Sequence, residues 1–212
     1  SHWPPMHATY TFSVLEEKGH EVNYEVELPS NFKDYDLYIV VSSIVCCETE
    51  IEIIKLLKSE NKKIFAIGPF ATNIPNKYYE AGATVISGES EFYFLKENKF
   101  EKDLNKEIVK FEHKFSVDDL PYPAWNKVVK NFKSVNNLFG KHKSIPILGT
   151  RGCPYSCHTY CVYPLQQGRT VRQRNPKNIV DEIEYWKKNF DVSMFIFRDP
   201  VFSINRKYTI SL

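Results

Sequence analysis

Residues 36–43 read DLYIVVSS: an acidic residue, five apolar residues in a row and two serines. A short unbroken apolar run rich in branched residues suits a strand covered on both faces of a parallel sheet, because a strand with one wet face would alternate. The flanking sequence repeats the theme. Residues 48–59 place Ile51, Ile54, Lys55 and Lys58 at helical spacing and stop at Asn61. Residues 63–67 are a second short strand closed by Gly68-Pro69. A short helix near 75–81, a strand at 83–87 closed by Gly88-Glu89, and a helix over 90–97 follow. Upstream, residues 7–18 carry Tyr10, Phe12, Val14 and Leu15 and run into Gly19, a helix stop. Residues 21–28 alternate Val22, Tyr24, Val26 and Leu28, which predicts a strand with one solvated side.

Strands alternating with helices imply an α/β fold, an open and mostly parallel sheet with helices on both faces. Ligands of such sheets bind outside the carboxyl ends of the strands. Three of those ends carry small or glycine-containing loops: Ser42-Ser43-Ile44, Gly68-Pro69-Phe70 and Gly88-Glu89. Each lets a large ligand approach the backbone, and each equally serves a plain strand-to-helix turn; turn chemistry alone favours the second. Such sheets ordinarily begin with a strand, and only SHWPPM precedes the first helix. We therefore expect the first strand to lie outside this chain.

The composition is that of a folded globular protein. With 42% hydrophobic and 25% charged residues over 212, disorder, collagen and a disulfide miniprotein are excluded. The longest nearly uncharged apolar run, residues 37–47, is far short of the ~18 residues that a membrane span needs. No signal-peptide core opens the chain, so a cytoplasmic location is expected. The net charge of +2 hides a split. Residues 1–120 hold 13 Lys, no Arg and 21 acidic residues, a net of −8, whereas residues 121–212 hold 9 Lys, 6 Arg and 5 acidic residues, a net of +10. A basic half could face nucleic acid, a phosphorylated ligand or its acidic neighbour. Residues 98–143 are charged, weakly periodic and interrupted by the prolines of SVDDLPYPAW (116–125), so they are expected to be a connector, with the boundary near residue 116.

Beyond the connector, the apolar strand SIPILG (144–149) delivers the chain into TRGCPYSCHTYC (150–161). Three of the five cysteines, Cys153, Cys157 and Cys161, fall within nine residues, whereas a secreted disulfide framework would be even in number and dispersed. Three thiolates on one loop suit a four-iron four-sulfur cluster with one iron left open. A zinc site with His158 as fourth ligand, or three buried thiols, remain as alternatives. Gly152 and the N–H groups after it could face cluster sulfurs, and Arg151 would favour thiolates. The adjacent pair Cys46 and Cys47 reads as packing. Residues 176–189 form a helix with Ile179, Ile183 and Trp186 on one face, and 192–197 a buried strand ending in Arg198-Asp199-Pro200. Arg169, Arg172 and Arg174 could meet an anionic substrate, but a solvated basic strand explains them more simply.

The stretch TRGCPYSCHTYCVYP resembles the cluster loop of radical S-adenosylmethionine enzymes, including the aromatic residue before the last cysteine, Tyr160. DYDLYIVVSS, GPFAT and GESE, followed by DDLPYPAW, resemble the cobalamin-binding-domain subgroup of that superfamily. The resemblance covers nearly the whole chain. It implies a Rossmann-like cobalamin-binding domain over 1–97, a linker over 98–143, and the first strands of a (β/α) partial barrel over 144–212, with most of the barrel outside the chain. It implies a [4Fe–4S] cluster on Cys153, Cys157 and Cys161. It also implies S-adenosyl-L-methionine with Tyr160 and Asp199 in its site, although a helix cap suits Asp199 equally. Cobalamin would lie against Ser42, Ser43, Gly68, Pro69, Gly88 and Glu89. Two features depart from the pattern. Three residues, His158, Thr159 and Tyr160, separate the last two cysteines where the family usually has two, so one must bulge. The Asp-x-His-x-x-Gly motif is absent, and neither His2 nor His7 fits its place, so no lower axial His would come from this chain.

The activity so implied is generation of a 5′-deoxyadenosyl radical for methylation or rearrangement at an unactivated carbon. A small-molecule substrate and an external electron donor such as flavodoxin or ferredoxin would be its partners. Two rivals stand beside it: a radical enzyme that modifies RNA, in which the basic half meets phosphates, and a non-catalytic iron–sulfur or zinc protein left by the altered cysteine spacing.

Overall fold

β2 (Lys63–Ile67), whose residues are fully enclosed after the first, sits inside the sheet that organises the first half of the chain. The computed structural model describes residues 3–110, 115–129, 134–137, 140–157 and 160–212. In chain order the elements of this half are α1 (Met6–Glu17), β1 (Leu37–Val41), α2 (Cys47–Ser59), β2, α3 (Pro69–Asn73), α4 (Pro75–Ala81), β3 (Thr84–Ser87), α5 (Ser90–Lys96) and β4 (Ile108–Lys110). The strands lie in the order β1-β2-β3-β4, all parallel, with Leu37 beside Lys63, Phe65 beside Thr84 and Val85 beside Ile108.

Successive residues of β2 point to opposite faces. Phe65 and Ile67 join Tyr10, Val14 and Leu15 of α1 and Phe92 and Phe94 of α5 on one side. Ile64 and Ala66 join Ile51, Ile54 and Leu57 of α2 and Tyr78 of α4 on the other. This is the two-faced open sheet that alternation of strands and helices predicted. β1 packs on both faces too, sending Leu37, Ile39 and Val41 into the first core and Tyr38 and Val40 into the second. It is nevertheless only half-buried, because among the described strands it is an edge of the sheet.

Two expectations are corrected. Residues 21–28 form no strand. Val22 packs on the α1 side and Leu28 on the α2 side, while Val26 is 89% exposed, so residues that alternation put on one face serve opposite cores or none. The stretch 98–143 is also more than a connector. It supplies β4, a 3-10 turn at Val117–Asp119, α6 (Trp125–Val128) and β5 (Ser134–Asn137), and Trp125 is wholly buried. A three-residue strand and a one-turn helix are too short for periodicity to reveal.

The second half contains β6 (Gly140–Ile147), β7 (Thr150–Arg151), α7 (Tyr163–Gln167), β8 (Arg172–Gln173), α8 (Pro176–Phe190), β9 (Met194–Phe197) and α9 (Arg206–Ser211). β6 pairs parallel with β9, Ser144 beside Met194 through Ile147 beside Phe197, and antiparallel with β5. α8 bridges β6 and β9. Asn175 caps it by accepting from the Lys177 N–H at 2.9 Å, Pro176 opens its first turn, and Ile179 and Trp186 are buried beneath it. Among the described residues no helix is long and apolar enough to cross a membrane.

Candidate functional site

The carboxyl ends of β1 and β2 face the cysteine loop across a cleft of about 350 Å3. Ser43, Ile44, Pro69, Phe70 and Asn73 line it from the sheet; Tyr160, Cys161, Val162 and Leu165 line it from the loop. Of the six residues expected to lie against cobalamin, Ser43 and Pro69 line this cleft. Ser42, Gly68, Gly88 and Glu89 lie beneath the surface and do other work. The Ser42 hydroxyl accepts from the Ala71 N–H at 2.8 Å, and the Gly88 N–H donates to Thr72 Oγ1 at 3.1 Å. Gly68 has φ +101°, and a Cβ there would stand 2.8 Å from His7 Nε2 and 3.0 Å from Ser42 Oγ. These residues hold the loops in tight turns, and Ser43 and Pro69 gain their placement from them.

Cys153 is buried, Cys161 half-buried and Cys157 exposed, and all three thiols are free. Tyr160 is 80% exposed. Negative charge on Cys157, then a hydrogen bond with it, pushes the Tyr160 phenol up. Among the described residues no three His, Cys, Asp or Glu side chains are gathered closely enough to hold a metal ion. His158 and Thr159, and with them the zinc alternative and the expected bulge, lie outside the described residues. The donor set fits a cluster in its chemistry: three free thiols on one loop, with Cys161 bordering the cleft.

The backbone around the first cysteine does not form the expected nest. The Gly152 N–H donates to Gln167 Oε1 at 3.0 Å and the Cys153 N–H to the Gly168 carbonyl at 3.1 Å. Gly152 has φ +85°, and a Cβ would lie 2.1 Å from the Thr170 carbonyl oxygen. The short ladder of β7 and β8 holds this crossing, Thr150 beside Gln173 and Arg151 beside Arg172.

The arginines are likewise redirected. Arg151 is 2% exposed and its Nη1 donates to Glu89 at 2.8 Å and to Glu91, so its charge is spent on carboxylates rather than on the thiols. Arg172 donates to the other oxygen of Glu89 at 2.6 Å. Arg174 reaches Glu182 at 2.6 Å and lies 3.7 Å from Asp118. Burial pushes the Glu91 and Glu182 carboxyls up against the pull of Arg151 and Arg174 respectively. The solvated basic strand is therefore wrong for Arg172 and Arg174. Arg169 alone of the three stays near solvent, where it donates to Ser156 Oγ at 3.0 Å and steadies the cysteine loop.

Asp199 follows β9 at the carboxyl end. Its Oδ1 accepts from the Gly149 N–H at 2.7 Å, tying the ends of β6 and β9 together, while its buried Oδ2 has no hydrogen-bond partner. Burial raises its carboxyl, opposed by that N–H. Asp199 caps no helix; α9 is capped by Asn205. A second cleft of about 330 Å3, bordered by His7, Leu148, Gln166 and Arg198, opens at this end of β6. Of the other two cysteines, Cys47 is core, but Cys46 is exposed rather than packed.

No protein-family model matches the chain. It is similar to an uncharacterized methyltransferase of Synechocystis, 25% identical over 180 residues that cover 84% of this chain and 32% of the relative. It is also similar to the bacteriochlorophyllide d C-8(2)-methyltransferase of Chlorobaculum tepidum, 26% identical over 223 residues, 96% of this chain and 44% of the relative. The anaerobic magnesium-protoporphyrin IX monomethyl ester cyclase of Rubrivivax gelatinosus matches at 44% over 85 residues, 40% of this chain and 15% of the relative. The chain thus spans about a third to a half of the length of the first two. Among solved structures, the radical S-adenosylmethionine methyltransferase TsrM of Kitasatospora setae, with cobalamin and a [4Fe–4S] cluster bound, shares the fold. The TM-score is 0.65 at 17% identity, over 99% of this chain and 47% of that one.

Proposed function

We propose that this chain is part of a cobalamin-dependent radical S-adenosylmethionine methyltransferase, with Cys153, Cys157 and Cys161 holding a [4Fe–4S] cluster. The observation that carries this reading is the cleft. It sets Tyr160 and Cys161 of a three-thiol loop directly across from Ser43 and Pro69, at the sheet end where open α/β sheets take their ligands. The shared fold with TsrM and the methyltransferase names of the relatives support it.

When bound, the cluster would supply an electron to S-adenosylmethionine and the corrinoid a methyl group to carbon, the chemistry that cofactors rather than side chains carry. The protein's own residues bind and orient. Cys153, Cys157 and Cys161 are the thiolate donors. Phe70, Ile44, Val162 and Leu165 give the cleft apolar walls. Gly68 and Gly88 let the sheet loops turn tightly enough to leave the cleft open. Asp199 holds Gly149 with one oxygen at the carboxyl end of β9, the strand end at which the amino group of S-adenosylmethionine would be held. Bacteriochlorophyllides and magnesium-protoporphyrin esters, on which relatives act, are the first substrates to test. A flavodoxin or ferredoxin would supply electrons. Arg151, Arg172 and Arg174 are committed to carboxylates, so phosphate contacts in the RNA alternative would fall to the lysines of the basic half and to exposed Arg169.

The test is anaerobic reconstitution of the full-length protein with iron and sulfide, followed by metal analysis and titration with hydroxocobalamin. About four irons per chain are expected, lost on Cys153→Ala, Cys157→Ala or Cys161→Ala. Zinc without sulfide, or iron retained by all three variants, would refute the reading.

A further inference from the structure

The residue two places before the first cysteine, Arg151, is bolted into the loop that follows β3, some sixty residues earlier in the chain. Arg151 and both of its carboxylate partners have side chains no more than 2% exposed. The guanidinium lies between two rings, 5.0 Å from the centroid of Tyr10 and 5.6 Å from that of Phe92. Arg172, beside Arg151 on the short ladder, closes the arrangement. It donates to Glu89 Oε2 at 2.6 Å and to the Gln167 carbonyl at 3.0 Å, and stands 5.7 Å from the Phe92 ring. Two guanidinium groups thus face two carboxylates in a space that admits little solvent, with Arg172 14% exposed and Glu91 and Arg151 bordering the second cleft.

Such an arrangement is a poor way to gain stability alone. Desolvating four charges costs several kcal/mol per ion, and well-packed apolar residues often do as well or better. This one is also incompletely satisfied, since Arg151 Nε and Arg172 Nε and Nη1 are buried without partners. What charge-assisted, forked bonds give that apolar packing does not is one fixed orientation. The backbone carries that orientation on to the thiols. Gly152 is pinned to Gln167 and Cys153 to Gly168, so little slack separates the Arg151 guanidinium from the first cysteine.

We propose that Glu89, Glu91, Arg151 and Arg172 act together as a positioning device that holds the cysteine loop in one orientation against the ligand-binding end of the sheet. None of the four lines the cleft between them. They act through the loop, because the bridge ties it to the end of β3, in the same sheet whose β1 and β2 ends carry the other wall of the cleft. The inference rests on the proposed function only for what the loop holds; the mechanical coupling is independent of it.

The experiment uses the full-length protein and three variants, Glu89→Gln, Glu91→Gln and Arg151→Lys. The first readout is amide hydrogen exchange. Glu89→Gln should speed exchange in residues 150–157 by about tenfold or more while amides of Pro176–Phe190 change less than about twofold, the signature of local rather than global opening. Arg151→Lys, which keeps the charge but loses the fork, should reciprocally loosen residues 88–92. The second readout is the magnetic resonance spectrum of the reduced cluster. At unchanged iron content, the variants should lose or weaken the change that S-adenosylmethionine induces in the parent. If the parent assembles no cluster, the functional reading falls and hydrogen exchange still decides the coupling. If the parent assembles one and the variants keep both parental exchange and the parental spectral change, the coupling is overturned and the function stands. Uniform loosening of every amide in all three variants, including the mild Glu91→Gln, would make the network ordinary core and overturn the inference as well.

Discussion

Gly152→Ala and Gly19→Ala form a matched pair that isolates the close approach beside the first cysteine. The two glycines share a positive φ, +85° and +86°, so each alanine meets backbone strain of roughly 1–3 kcal/mol. Around Gly19 nothing lies within 4 Å of an added Cβ. At Gly152 the Cβ would stand 2.1 Å from the Thr170 carbonyl oxygen, 2.9 Å from its carbon and 3.4 Å from the Gly168 oxygen, all of them backbone atoms. The β8 side must therefore retreat by about 1 Å, and overpacking of that kind adds roughly 1–3 kcal/mol. The same retreat strains the Cys153–Gly168 hydrogen bond of 3.1 Å, about another 1 kcal/mol. We expect about 2–4 kcal/mol between the two variants in urea unfolding, with Gly152→Ala the weaker, and the loss confined to the midpoint if the unfolded state is unchanged. Equal midpoints for Gly152→Ala and Gly19→Ala would refute the close approach and with it the geometry of the loop.

Three further perturbations bear on the same architecture. Trp125→Ala should cost about 3–5 kcal/mol, as for any large enclosed side chain; a cost under about 0.5 kcal/mol, fitting an exposed connector, would contradict its burial among Ile145, Trp186 and Val192. Glu182→Gln leaves Arg174 as a buried charge without its main counter-ion and should destabilise by roughly 3–5 kcal/mol, more than an apolar replacement of both partners would; the reverse order in denaturant melts would count against the pair. His7 has an enclosed Nε2 without a hydrogen-bond partner, and burial first and Arg151 second lower it to about 4 from an ordinary 6.5. The unfolded chain therefore binds the extra proton between those values. The contribution is fully present above about pH 6.5, fades as pH falls towards 4, and amounts to at most about 3 kcal/mol. His7→Gln should flatten that part of the stability profile; an unchanged slope between pH 6.5 and 4 would show the ring to be solvated.

How much of this could be read beforehand depended on the length of each element and the distance between partners. β2 and α4 fall on the residues that periodicity marked, and β1, α2, β3, α5 and α8 differ by a residue or two at their ends. Their apolar positions repeat often enough, or run long enough, to outvote local exceptions. The segment 21–28 alternates as cleanly, yet Val22 and Leu28 drop into different cores, and only the neighbouring elements decide that. β4 was invisible because three residues hold no period and its pairing with Val85 and Ile86 is a tertiary fact. At the site, the three cysteines and the small loops at the strand ends were legible from spacing and turn chemistry. The division of labour among those loops was not. Ser43 and Pro69 reach the cleft, whereas Ser42, Gly68 and Gly88 brace it, because the hydrogen bonds from Ala71 to Ser42 and from Gly88 to Thr72 and the closeness of His7 settle which atoms face inward.

The destination of the arginines was nevertheless written into their distribution. All six Arg lie in residues 121–212 and none in residues 1–120, whereas Lys is spread over both halves. Lys suits a solvated surface, since its compact ammonium is strongly hydrated and expensive to bury; Arg is the cation of buried, forked contact with carboxylates. Half of the arginines follow that division, while Arg169, Arg198 and Arg206 stay exposed. Arg151, Arg172 and Arg174 are the cations that enter the interior, and Glu89, Glu91 and Asp118, three of the carboxylates that receive them, come from the acidic half. Glu182 is the exception, supplied by α8 itself. The −8 and +10 halves are therefore complementary faces of a single joint to the extent that these pairs cross it. The confinement of all six Arg to the basic side, beside its nine Lys, is the feature that points to such a joint rather than to a basic face left open to phosphates, where Lys alone would serve as well.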